Sequence, residues 1–147
     1  LLKLTMVARR RVCITLPTGA SPRTDDHVIE ALGLASRVGR DHLYAVNILS
    51  SMGFEPELTY IKSSRHDTFE TFDDALRKYD DMVRKACALL PETRTQIALS
   101  KLKPWLEAQI VENEDAGKPG ERGIPQGALR LREPRTITWA FIAWNVD

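Results

Sequence analysis

The apolar positions along the chain change period several times. Over residues 1–8, Leu1, Leu4 and Val7 (or Ala8) fall at helical spacing, which predicts a short helix with one apolar face. Arg9-Arg10-Arg11 closes it, because cations suit the partly negative C-terminal end of a helix. Val12-Cys13-Ile14-Thr15-Leu16 is a nearly continuous apolar run, rich in β-branched residues and ended by Pro17. Such a run predicts a strand buried on both faces, as in a parallel sheet. Residues 17–22 read as a loop. Thr24-Asp25-Asp26 then opens a helix, with Thr24 or Ser21 as its N-cap, Val28, Ile29 and Leu32 on its buried face and Gly33 at its end. Leu43, Val46, Leu49 and Met52 predict another helix over about 41–52, stopped by Gly53. Glu57 to Lys62 alternates polar and apolar, the mark of a strand with one exposed face.

The clearest period follows. Phe72, Leu76, Tyr79, Val83, Ala86 and Leu90 recur at steps of 4, 3, 4, 3 and 4 behind Thr71-Phe72-Asp73-Asp74, which has the form of a capping box. Ile97, Leu102, Trp105, Leu106 and Ile110 mark a second helix, in which Pro104 removes one ladder hydrogen bond and predicts a kink or break. Together these make a helical insert over 68–112. Residues 113–127 hold four glycines and two prolines and are expected to be a flexible loop. The β-rich run Thr136 to Trp144 predicts a central strand, and no internal repeat is visible.

Composition narrows the classes. With 147 residues, 43% hydrophobic and 28% charged, the chain reads as one ordinary globular domain, not a disordered or low-complexity one. Twenty-one basic residues against 20 acidic leave a net charge of +1, which supplies no global attraction to nucleic acid or an anionic membrane. No apolar run approaches the roughly 20 residues needed to span a bilayer, and Leu1-Leu2-Lys3-Leu4 is too short for the core of a signal peptide. Cys13 and Cys87 lie far apart in sequence, which reads as two buried free thiols in a cytoplasmic protein.

Candidate chemistry is sparse. His27, His42 and His66 are scattered and read as surface or cap residues, and no Cys-x-x-Cys pair is present, so no metal site is expected. Ser21 and Cys13 stand outside any Gly-x-Ser-x-Gly elbow. No Gly-rich phosphate loop follows a strand. Phe69, Phe72 and Tyr79 read as a packing stripe. The residues alone therefore give an α/β protein without visible catalytic machinery.

The order of elements adds more. Val7 to Pro17 resembles the helix-to-fifth-strand passage of class I S-adenosylmethionine-dependent methyltransferases. Tyr44 to Phe54, with its Leu49-Ser50-Ser51-Met52-Gly53-Phe54 ending, resembles the helix before the sixth strand. Thr68 to Ala75 is similar to the entry of a C-terminal helical insert, and Thr138 to Trp144 to the seventh strand, which in that family runs antiparallel to the rest. The resemblance covers nearly the whole chain. It implies the C-terminal half of such an enzyme: a partial Rossmann-like α/β sheet of two parallel strands and one antiparallel strand, with helices and a helical insert.

The family's Gly-rich turn after its first strand and the acid ending its second have no match here. The resemblance therefore implies that S-adenosylmethionine is bound by a longer parent protein and not by this chain alone, since ligands of such sheets lie at the switch point between early strands. It also implies that Thr18, Ser21 and Arg23, in the loop after the first strand, contact a substrate; a plain capping loop is the competing possibility. The insert becomes a lid, or else a packing appendage or dimer contact. Methyl transfer depends on alignment, so no catalytic base is expected from these residues. The expected acceptor is a small molecule, less a macromolecule, and the unpaired edge of a half-sheet is expected to form a homodimer or to receive a missing segment. Two rivals remain: a non-enzymatic α/β interaction module, and a different nucleotide-binding α/β enzyme truncated in the same way.

Overall fold

The computed structural model describes residues 1–19, 24–35 and 39–146. In chain order its elements are α1 (Leu2–Val7), β1 (Arg11–Pro17), α2 (Asp26–Ala31), α3 (Asp41–Ser51), β2 (Glu57–Arg65), β3 (Thr68–Phe69), α4 (Phe72–Ala86), α5 (Glu92–Gln109), β4 (Ile110–Glu112), a 3-10 turn (Glu121–Gly123), β5 (Leu129–Leu131) and β6 (Arg135–Asn145). They form two compact units. The first comprises Leu1–Pro22, Arg37–Ser63 and Thr136–Asp147; the second comprises Arg23–Ser36 and Ser64–Arg135. The helices expected over 68–112 belong to the second unit.

The first unit is built on a three-stranded sheet of order β1-β6-β2. The C-terminal run is its central strand, as its nearly continuous apolar character predicts. β1 pairs antiparallel with β6, from Arg11 opposite Asn145 to Pro17 opposite Trp139. This corrects the expectation of a buried parallel strand. β1 stands at an edge, and its burial alternates: Val12 is buried and Ile14 and Leu16 are half-buried, while Arg11, Cys13 and Thr15 are exposed. Cys13 therefore faces solvent and is not the buried thiol expected; Cys87, in the second unit, is buried. All three ladders of defined register among the described residues are antiparallel. The Rossmann-like parallel pair is thus not among them.

The core of this unit joins Val12, Ala45, Leu49, Ile142 and Trp144, with Leu58 and Phe54 packed against it. The Trp144 indole N–H donates to Thr5 Oγ1 at 3.2 Å and ties α1 down. α1 itself buries no residue, and Leu2, Leu4, Met6 and Val7 are exposed. His42, expected at the surface, is buried with its ring edge-on to Tyr60. The strand expected to end at Lys62 continues to Arg65.

The second unit packs α2, α4 and α5 around Val28, Ile29, Leu32, Ala75, Tyr79, Val83, Leu102 and Leu106. The Thr71–Asp74 capping box forms as expected: Thr71 Oγ1 accepts from the Asp74 amide, and Asp74 Oδ2 accepts from the Thr71 amide. The apolar stripe of α4 holds at Tyr79 and Val83. At the last turn it moves to Cys87, leaving Ala86 exposed. α5 runs through Pro104 as one helix, so of the expected kink or break the break does not occur. Pro104 is exposed, and the buried Ala98, Leu102 and Leu106 on the other face hold the helix across the missing bond. Ile97, expected inside, lies outside that face and is 55% exposed.

A second small sheet, of order β3-β5-β4, closes this unit. Residues 113–127, expected as a flexible loop, form a hairpin-like arm in which the Gly117 amide donates to the Gln126 carbonyl, the Gln126 amide to the Lys118 carbonyl, and the Gly120 amide to the Ile124 carbonyl. Its base is fixed by the Asn113 side-chain amide donating to the Gly127 carbonyl at 2.8 Å. Gly127 is dictated by contact, because a Cβ there would lie 2.5 Å from the Phe69 carbonyl.

Candidate functional site

The loop after β1 is the region that the sequence singles out. Of its three candidate residues, Ser21 and Arg23 lie outside the described residues. Thr18 is described, and both its amide and its hydroxyl donate to the Thr138 carbonyl, each at 3.0 Å. Its donors are thus spent on extending the sheet. The Gly19 carbonyl accepts from the Gly39 amide at 3.2 Å, so tightly that a Cβ at position 39 would lie 2.5 Å from it. The described part of this loop is thus held by β6 at Thr138 and by the backbone at Gly39.

The second unit carries a denser polar constellation, centred on Asp67 in the turn between β2 and β3. Asp67 Oδ2 lies 3.2 Å from Lys78 Nζ and 3.3 Å from Arg135 Nε; its Oδ1 lies 3.7 Å from Arg65 Nε. The Arg135 side chain is only 7% exposed and that of Asp67 13%, so this is a largely desolvated pair. Lys78 stands nearly two helical turns into α4 and also lies over the Phe69 and Tyr79 rings, at 5.2 and 5.6 Å.

Two further groups feel this charge. Asp25, not Thr24, is the N-cap of α2: its carboxylate accepts from the His27 amide, and its own amide donates to Met82 Sδ at 3.2 Å. Burial lifts the Asp25 carboxyl above the ordinary carboxylate range; Arg135 opposes the rise and the negative charge of Asp67 adds to it. The Tyr79 hydroxyl is fully buried without a hydrogen-bond partner. Burial, then Asp67 and Asp25, keep its phenol protonated far above its usual range.

Beside Asp67 opens a polar cleft of about 510 Å³, of a size that admits a small molecule. Residues 65–68 line one side, and Asp115, Glu121 and Gln126 of the hairpin arm line the other. Arg65 spans it, donating to Glu121 Oε2 at 2.7 Å. Asp115 is paired with Lys118, whose hydrogen bond and positive charge hold its carboxyl below the ordinary range.

The sequence missed this constellation. Nothing in the local sequence pattern around Asp67 links it to Arg135. Chemically, the cluster is a neutralised anchor for Asp67 with a polar cleft alongside. No nucleophile–base pair is among the contacts found, and no group of three acidic, histidine or cysteine side chains among the described residues is placed to hold a metal ion. No described helix is long and apolar enough to cross a membrane. No protein-family model, curated protein or solved structure matches the chain.

Proposed function

We propose that the chain is the C-terminal portion of a class I S-adenosylmethionine-dependent methyltransferase, supplying substrate-side loops and a lid, with the cofactor held by the longer parent. The observation that carries this reading is the place of β6. The last strand of the chain lies between β1 and β2 and runs antiparallel to β1, while β1 and β2 are joined through helices. This is the sense expected of the terminal strand in the family whose sequence pattern the chain resembles.

Two features add support. The exposed apolar residues of α1 form the kind of surface that further protein covers. The cleft beside Asp67 is lined by charged and amide side chains, which suits a small polar acceptor better than an apolar one. Its role is to orient the acceptor, since methyl transfer gains chiefly from alignment. A non-enzymatic interaction module is the second reading, favoured by exposed Tyr44 and Ile48 on α3 and Met52 at its C-cap, at helical spacing.

The reading frame that encodes this chain provides the test. The proposal expects an upstream segment on the order of 100 residues, with a Gly-x-Gly turn after its first strand and an acid roughly 20 residues further on. A frame that encodes these 147 residues and nothing more overturns the enzyme reading and favours the module.

A further inference from the structure

β2 is an edge strand with one neighbour, β6, among the described residues. It is nine residues long, against a common strand length of about 5–6, and eight of the nine are exposed. Tyr60 and Ile61, on opposite faces, are 52% and 49% exposed. Edges of this kind are templates for another strand, and proteins usually blunt them with short length, proline, bulges or charged side chains. β2 is long and holds no proline, and its charges, Glu57, Lys62 and Arg65, are of both signs. β1 is the poorer template, because it ends in Pro17, which has no N–H to donate.

The sequence of β2 also says what strand fits. A second copy pairing edge to edge must be related by a twofold axis perpendicular to the sheet. That axis keeps each residue and its copy on the same face, so in the antiparallel pair one residue must sit opposite itself. Ile61 is the middle residue of Glu57–Arg65, and with the axis there all nine residues pair. Glu57 then faces Arg65 at both ends, Tyr60 faces Lys62 twice, and Ile61 meets Ile61. Moving the axis to Tyr60 or Thr59 leaves Arg65 beyond the pairing. Moving it to Lys62 sets two ammonium groups against each other. The sequence is therefore self-complementary in the one register that uses the whole strand, since opposite charges and aromatic pairs across a ladder stabilise it and like charges oppose it.

We propose that this protein forms a homodimer through antiparallel pairing of β2 with β2 of a second copy, centred on Ile61. The pairing does not depend on the methyltransferase reading, and its test reads association alone. Glu57 also accepts from Arg11, and Arg65 donates to Glu121, so folding must be followed in every variant.

The experiment is sedimentation equilibrium on the 147-residue chain and its variants, with melting curves as the folding control. The wild type is expected to be a dimer. Ile61→Lys is expected to raise the dissociation constant by roughly tenfold or more, because it places two cations opposite one another. Glu57→Lys and Arg65→Glu are each expected to weaken the dimer, and the double reversal E57K/R65E to recover it. The recovery keeps the test decisive if Ile61→Lys melts abnormally. A wild type that stays monomeric overturns the proposal. So does a dimer indifferent to Ile61→Lys, which would place the contact on another surface such as α3, and so does a double reversal weaker than either single change.

Discussion

Asp67 concentrates the electrostatic work of the second unit. Its carboxylate meets the deeply buried Arg135, Lys78 and the more distant Arg65. Removing one partner of a buried pair leaves the other desolvated without compensation, which is the expensive part of such pairs. Asp67→Asn is therefore expected to lower stability by about 2–4 kcal/mol in urea unfolding. A loss no larger than that of an exposed ion pair would show that Arg135 finds its compensation elsewhere. Asp25 behaves oppositely. Its folded-state pKa is raised by burial, so ionisation costs stability that is recovered as pH falls from the raised value toward the ordinary 3.8. Asp25→Asn keeps an N-cap residue and removes that charge. The variant is expected to be more stable than the wild type at pH 7, with the difference closing as the pH is lowered through the carboxylate range. A gap that widens on acidification would contradict this sign. At this scale the sequence was partly legible: Thr24, Asp25 and Asp26 all suit a helix start, and burial beside Met82 selects Asp25. The link from Asp67 to Arg135 is tertiary and has no local signal.

The helices were the most legible elements, because their information is periodic and local. Tyr79 and Val83 are buried where the 4-3 spacing puts them, and the Thr71–Asp74 box closes as its spacing requires. α5 shows what periodicity leaves out. Propensity predicts a kink or break at Pro104, and packing of Ala98, Leu102 and Leu106 carries the helix through without a break. The cost of the proline remains in the folded state, so Pro104→Ala is expected to raise stability by about 1–3 kcal/mol, read as a shift of the unfolding midpoint. An unchanged midpoint would mean that the helix bends at Pro104 in a way that alanine does not relieve. β3, β4 and β5 hold two or three residues each, too few to carry a period, and escaped notice. Strand direction was also hidden: the run Val12–Leu16 is apolar whether its neighbour runs parallel or antiparallel, and only pairing with β6 decides it.

For the whole molecule, composition bounded the answer without dividing it. An even charge balance and ordinary apolar content fit either one domain or the two compact units found, each with its own core. The second unit draws on two stretches far apart in sequence, so the segment 24–35 gave no sign of belonging with the later helices. The polar cleft beside Asp67 needs no such joining, but it brings residues 65–68 against the arm over 115–126, a pairing with no local signal. The loop after β1 was legible as a loop, but Thr18 serves the sheet. The proposed function divides the labour: this chain would offer surfaces for an acceptor, and an upstream segment would hold the cofactor. Calorimetric titration of S-adenosylmethionine tests that division most directly, carried out in parallel on the 147-residue chain and on the product of its complete reading frame. The account predicts no binding heat with the chain and saturable binding with the longer product. Saturable binding by the chain alone, or none by the longer product, would contradict it.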